Sequence, residues 1–176
     1  MDYFISDLHF HHKNIIRYAD RPFESVREMN DALISNWNAK VSVSDNVFVI
    51  GDVAISADGL DCVKKLNGRK YLIIGNHDYP MLSDIEKSGI FETIDYSKVI
   101  VSGGKMITLC HFPMYSFIGD ILIYGHVHNN IHDKSYIDMM ALGNAYNASV
   151  EINGYAPVTL DELIYNNKKA VDLFHK

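Results

Sequence analysis

Four short runs of mostly apolar residues, Tyr3-Phe4-Ile5-Ser6, Val47-Phe48-Val49-Ile50, Tyr71-Leu72-Ile73-Ile74 and Ile121-Leu122-Ile123-Tyr124, each end on a polar motif. The motifs are Asp7-Leu8-His9, Gly51-Asp52, Gly75-Asn76-His77-Asp78 and Gly125-His126-Val127-His128, with His111 as a fifth element of the series. Continuous apolar runs of this length read as strands buried on both faces. In open α/β sheets, ligands gather beyond the carboxyl ends of the strands. A chain built this way therefore carries its polar motifs to places from which they can converge.

The rest of the pattern fits that frame. Ser25 followed by Glu28 is a capping box, opening a helix in which Val26, Met29, Leu33, Ile34 and Trp37 follow helical spacing. A second helix carries Leu60, Val63 and Leu66 and stops near Gly68. Val99–Val101 and Met106–Leu109 flank Ser102-Gly103-Gly104-Lys105, a hairpin signal. Met139–Leu142 and Ala148–Ile152 read as two further strands, with Asn153-Gly154 as a hairpin-type turn. Thr159 and Glu162 cap a final helix through Leu163 and Ile164. Alternating strands and helices followed by strand pairs predict an α/β fold with mixed sheets. At 176 residues, without linkers or repeats, the chain makes one domain, residues 1–176.

Composition narrows the partners. An apolar share of 48% with 22% charged residues is globular. A net charge of −6 offers no basic field for a dedicated nucleic-acid surface, although bound cations would invert the local field for a small anionic substrate. Cys62 and Cys110 form no C-x-x-C pattern and read as free buried thiols of a reducing compartment. Asp7 lies too near Met1 for a cleavable leader to precede it here, and no apolar run is long enough for a bilayer. A soluble, cytoplasmic protein is expected; the oligomeric state is left open.

The motif series supplies two carboxylates, one amide and several imidazoles, the donor set of a pair of divalent cations. In extended backbone, residues two apart point to the same side, so Asp7 with His9, and His126 with His128, can each face one ion. Asp52 has two oxygens with which to bridge, Asn76 an amide oxygen and His111 another imidazole. Oxygen and nitrogen donors without thiolate suit Mn²⁺, Fe, Zn²⁺ or Ni²⁺, with Mn²⁺ favoured. Two such ions about 3.5–4 Å apart clamp a phosphoryl group. Each motif alone has an ordinary reading: Gly-Asp is common turn chemistry, Asn and Asp favour turns, and H-x-H also serves single zinc sites. The ordered set is what carries the inference.

That set resembles the calcineurin-like metallophosphoesterases, and the resemblance runs from Tyr3 through Leu163. Asp7-Leu8-His9-Phe10 with His12, Asn14-Ile15-Ile16-Arg17-Tyr18, Arg21-Pro22-Phe23 and Val150-Glu151-Ile152-Asn153-Gly154-Tyr155 are similar to a group of small, stand-alone bacterial and phage phosphoesterases. The resemblance implies a four-layer α/β/β/α sandwich of two mixed β-sheets, the metallo-dependent phosphatase fold. It implies that Asp7, His9 and His128 hold one cation, that Asp52 bridges, and that Asn76, His111 and His126 hold the second. His77 is then not a ligand but faces the substrate, stabilising phosphoryl oxygens or protonating the leaving group. His12, Asn14 and Arg17 are candidate substrate contacts, with Arg21 a weaker one.

Two positions depart from the resembled pattern. Ile55 stands where the protein serine/threonine phosphatases carry an acidic residue, which argues against a phosphoprotein substrate and leaves the orienting partner of His77 open, with Asp78 adjacent. His11 stands where the small group usually has glycine, and its side chain is expected in solvent. The implied activity is hydrolysis of a small phosphate ester, a phosphodiester before a phosphomonoester and with nucleotides among the candidates, through a metal-bridging hydroxide. The alternatives are a catalytically silent binding scaffold on the same fold and a mononuclear zinc hydrolase of amides, the latter leaving Asn76 and His111 without roles.

Overall fold

Alternate residues of each central strand enter different apolar cores, and this sets the layering. In the computed structural model, which describes residues 1–174, β1 (Asp2–Ile5), β2 (Asn46–Val49), β3 (Arg69–Ile73) and β4 (Phe91–Asp95) form a parallel sheet in that order. Tyr3, Ile5, Val47, Val49 and Leu72 face one side, where they pack on residues of α1 (Lys13–Tyr18), α2 (Val26–Lys40), α3 (Ala57–Val63) and α4 (Leu82–Ser88). Phe4, Phe48 and Ile73 face the other side, against Ile107, Leu109, Ile121 and Ile123 of the second sheet. That sheet runs β5 (Ser97–Ser102), β6 (Lys105–Cys110), β7 (Ile121–Tyr124), β8 (Ala145–Asn147) and is mixed, with β5 antiparallel to β6 and the others parallel. Its outer face, Cys110, Leu122 and Tyr124, is covered by Tyr136 and Met139 of α5 (Lys134–Ala141). The final helix, α6 (Leu160–Phe174), packs against β8 and β1. The protein is thus a four-layer α/β/β/α sandwich.

Local signals act as their chemistry dictates. Ser25 Oγ accepts the Glu28 N–H at 3.1 Å, and Met29, Leu33 and Trp37 bury one stripe of α2. Thr159 and Glu162 exchange reciprocal bonds at the start of α6. Helix α3 ends earlier than expected, at Val63, and Gly68, at φ +86°, instead turns the chain into β3. Two elements, α4 and β4, carry no signal strong enough to have been expected.

The expected strand at Met139–Leu142 is instead the end of α5. Asp133 caps this helix by accepting the Ser135 N–H at 2.7 Å, Lys134 pairs with Asp138 one turn on, and Tyr136 and Met139 bury together at helical spacing. A four-residue apolar run does not by itself separate strand from helix. The expected strand Ala148–Ile152 is displaced as well: β8 precedes it, and Ser149 makes a single bridge to Ser6 before a series of turns. Asn153 Nδ2 donates to the carbonyls of Asn147 and Ser149, taking backbone acceptors that a strand would give to its ladder. Gly154 closes no hairpin; the chain passes on to Val158, which pairs antiparallel with Phe4.

Candidate metal centre

β1 ends at Ile5, and the backbone does not continue as a strand through the first motif. Asp7 (φ +58°) and His9 (φ +54°) are both left-handed, as are Asp52 (φ +56°), His126 (φ +74°) and His128 (φ +50°). The extended geometry expected for Asp7-Leu8-His9 is therefore replaced by left-handed residues that still bring both side chains to one cluster. Each such residue costs about 1–2 kcal/mol, and strain of this kind concentrates at functional sites. His11 is left-handed too, at φ +63°, with its side chain exposed as expected; the conformation explains why glycine suits that position.

The side chains converge. Asp7, His9 and His128 each place one donor atom within 4.8 Å of the others, and so do Asp7, Asp52 and His111. His9 Nε2 is 3.5 Å from Asp52 Oδ2 and 3.9 Å from Asp7 Oδ1; His128 Nε2 is 3.6 Å from Asp7 Oδ1, and His111 Nε2 is 3.6 Å from Asp52 Oδ2. Asn76 Oδ1 lies 3.2 Å from His111 Nε2, and the His126 ring stands 5.2 Å from that of His111. All seven expected ligands are thus brought together, Asp7 and Asp52 at the centre. A further triad of His9, Asp52 and His77 meets the same distance limit, so His77 borders the cluster.

The three inner imidazoles share one arrangement. His111 Nδ1 lies 2.8 Å from the Ile50 carbonyl, His128 Nδ1 3.1 Å from Glu151 Oε1, and His9 Nδ1 3.3 Å from His12 Nδ1. A carbonyl or carboxylate only accepts, so Nδ1 of His111 and of His128 carries a proton, and in the neutral ring the Nε2 lone pair points inward. Metal-ligating histidines are oriented in this way. His9 Nε2 is buried without any hydrogen-bond partner, an orphan that a cation would satisfy.

Electrostatics agree. Burial would lower His128, yet Asp7 and Glu151 outweigh it and push it up to about 9. Burial raises Asp52 with Asp7 adding repulsion, while the imidazoles of His128, His111 and His9 overcome burial to hold the Asp7 carboxyl well below the usual range. Burial lowers His9 and His126, leaving neutral rings able to coordinate. Without a cation, the carboxylates of Asp7 and Glu151 hold His128 protonated; a site that calls for positive charge there, with His9 and His126 neutral beside it and no thiolate, fits divalent cations that would displace that proton.

Close packing fixes the loops. A Cβ on Gly51 would fall 2.3 Å from His111 Nδ1, and one on Gly125 would fall 2.6 Å from Ser6 Oγ and 2.7 Å from Asp7 Oδ2. Asp7 Oδ2 accepts from the hydroxyls of Ser6 (2.5 Å) and Ser149 (2.8 Å).

No family model matches the sequence. An uncharacterized protein of Methanocaldococcus jannaschii is 37% identical over 170 residues, spanning 92% of this chain and 88% of its own. The chain belongs to the same family as that archaeal protein. The gene 66 protein of Mycobacterium phage L5 is 28% identical, over 72% of this chain and 77% of the phage protein. A crystal structure of a protein of unknown function from Aquifex aeolicus superposes with a TM-score of 0.72 at 30% identity, covering 92% of this chain and 96% of that one.

The proposed substrate contacts separate. His12 is buried, its ring 5.2 Å from His9 and 5.6 Å from His77. Asn14 and Arg17 lie on the exposed side of α1, with Arg17 stacked 5.2 Å over the Tyr18 ring. Arg21 is buried rather than on a rim. Tyr18, Ala19, Asn130 and His132 line a cavity of about 390 Å³ that opens on His126 and His128. His132 and His175 lie outside the motif series and read from the sequence as surface histidines; His132 is indeed exposed, on the wall of that cavity, and His175 lies outside the described residues. Asp78 does not orient His77: its carboxylate accepts the N–H groups of Asp52, Val53 and Gly75 at 2.8–2.9 Å. Burial pushes that carboxyl up to about 6. Asp78, Ser149, Arg21 and Glu151 are the site residues whose supporting roles the sequence reading did not assign. Among the described residues, no helix is long and apolar enough to cross a membrane.

Proposed function

We propose that the protein is a calcineurin-like metallophosphoesterase of the small, stand-alone kind, hydrolysing phosphate esters with two divalent cations, Mn²⁺ favoured. The observation that carries this reading is the convergence of three imidazoles, two sealed and His128 half-buried, each with Nδ1 anchored and Nε2 inward, on the carboxylates of Asp7 and Asp52. Asp7, His9 and His128 would hold one ion, and Asn76, His111 and His126 the other, with Asp52 shared. Bound there, such a pair supplies Lewis-acid charge to the phosphoryl oxygens and lowers the pKa of water.

The protein's own groups set the rest of the chemistry. His77 is only half-buried and borders the cluster, its backbone N–H fixed on Asp52 Oδ1 at 2.9 Å. Of the imidazoles around Asp52 it is the one placed to give a proton to a leaving oxygen. A phosphodiester fits better than a phosphomonoester. A dianionic monoester calls for extra cationic side chains, but Arg21 is consumed by Glu151 and Arg17 lies over Tyr18 on the exposed face of α1. The cavity beside His126 and His128 has room for a second ester group. Free, buried Cys62 and Cys110 suit a reducing, cytoplasmic setting.

The test is hydrolysis of bis(p-nitrophenyl) phosphate and p-nitrophenyl phosphate with Mn²⁺, Ni²⁺, Zn²⁺ and Fe²⁺ compared. We expect metal-dependent turnover, faster on the diester, that Asp52→Ala abolishes. Turnover by Asp52→Ala equal to wild type would sink the proposal.

A further inference from the structure

Arg21 and Glu151 stand 130 residues apart in sequence and meet in the interior, directly behind the first ligand group. Arg21 Nε and Nη2 lie 2.9 and 2.8 Å from Glu151 Oε1. Most of the rest of the guanidinium is spent on the first motif: Nη2 donates to the Asp7 carbonyl at 2.6 Å and Nη1 to the Leu8 carbonyl at 3.0 Å, with Nη1 also on Met29 Sδ at 3.3 Å. Glu151 Oε1 also receives His128 Nδ1 at 3.1 Å, while Oε2 has no partner. Both side chains are sealed, at 0% and 1% exposure. Beside them the Phe23 and Tyr155 rings meet edge to face at 5.0 Å, so the segments around residues 21–23 and 151–155 are fastened together twice.

A buried ion pair is a poor device for stability alone, since desolvation of both charges offsets their attraction and an apolar pair of equal volume often does as well. What this pair does that an apolar pair cannot is hold two backbone carbonyls of a left-handed loop and one imidazole in a fixed tautomer. Asp7, on that loop, and His128, on that imidazole, are two of the three members of one ligand group.

We propose that Arg21 and Glu151 form a clamp of positioning residues that tunes the affinity of the cation held by Asp7, His9 and His128, and not that of its neighbour. The proposal rests on the reading of those residues as ligands. Glu151 would fix the His128 proton on Nδ1 and raise the basicity of Nε2, while Arg21 would set the loop that aims Asp7. His111, anchored on the Ile50 carbonyl instead, lies outside this network.

The experiment measures Mn²⁺ binding by titration calorimetry on wild type, Glu151→Gln and the double variant Arg21→Met/Glu151→Leu, with melting curves for each. Wild type is expected to bind two ions. Glu151→Gln should weaken one of them about 10- to 100-fold and leave the other within a factor of two or three. The double variant, which removes the buried charges together, should melt near or above wild type and show the same selective loss. Two unchanged affinities in a folded double variant, or equal loss of both ions, would overturn the clamp while leaving the metal reading standing. A wild-type protein that binds no Mn²⁺ would overturn the metal reading itself and the clamp with it.

Discussion

Asp78 Oδ2 accepts the backbone N–H of Asp52 at 2.8 Å and, with the same oxygen, that of Gly75, while Oδ1 takes Val53. One buried carboxylate thus ties the loop after β2 to the loop after β3, and so fixes Asp52 relative to Asn76 and His77. Asp78→Asn puts an amide NH₂ where an acceptor is needed. It should lower stability by about 3 kcal/mol, the scale of lost charge-assisted bonds with donors left buried. For a domain of this size that is a melting temperature about 6–12 °C lower. An unshifted melting curve would show that the loops hold without it.

Gly51 has φ +85°, and any Cβ there meets His111 and the Gly75 backbone. Backbone cannot yield as a side-chain tip does. Gly51→Ala should therefore displace the His111 ring from the Ile50 carbonyl, cost about 3 kcal/mol or more, and remove one bound cation. Calorimetric Mn²⁺ stoichiometry on the folded fraction checks this; two ions bound as in wild type would refute it.

The converging residues were legible because four of the five motifs end a run that reads as a buried strand, so position in sequence already implies position in the fold. Asp52 and His126 needed no tertiary information. Arg21 and Glu151 did: a buried arginine next to a helix looks like a solvated one until a carboxylate 130 residues away is seen beside it. The left-handed backbone of Asp7 and His9 was equally invisible, since D-x-H in extended conformation would also share a face. Met139–Leu142 misled for a local reason, because Asp133 caps a helix whose apolar face is too short to show its period. Asn153 misled for the opposite one, spending its amide on carbonyls that a strand would have used.

If cations occupy the cluster, the two carboxylates it brings together should make the ion-free protein the less stable form. Ligand that binds only the folded state adds about 2.7 kcal/mol at one hundred times its dissociation constant. Mn²⁺ should raise the melting temperature by roughly 5–10 °C, and chelation should reverse it. Asp52→Ala should respond much less. A chelator-insensitive melting point would count against the donor set as a metal site.

Arg17 rests on Tyr18 at the protein surface, where such a stack contributes about 0.5–1 kcal/mol. Asn14→Ala and Arg17→Ala should each leave kcat/KM on bis(p-nitrophenyl) phosphate within about threefold of wild type, on the scale of a lost surface stack. Tyr18→Ala, which opens a wall of the cavity beside His126, should raise KM with kcat preserved, the signature of lost uniform binding. A large fall in kcat for Arg17→Ala would return that residue to the substrate site.

His77 stands at the boundary between ligand and acid. It shares a group with His9 and Asp52 close enough for coordination, yet it is half-exposed while those two are sealed. Its ring lies 5.0 Å from that of His9 and 5.6 Å from that of His12, with Asp78 occupied elsewhere. The two roles separate in a single variant. If His77 donates a proton, His77→Asn keeps both Mn²⁺ ions and loses about 10²- to 10⁴-fold in kcat, the usual span for a general acid. The loss should shrink on an ester with an activated leaving group, which needs no proton, and grow on one with a poor leaving group. If His77 is instead a ligand, the same variant loses an ion and its rate falls equally on both esters. Measuring stoichiometry beside the dependence on leaving group decides between them.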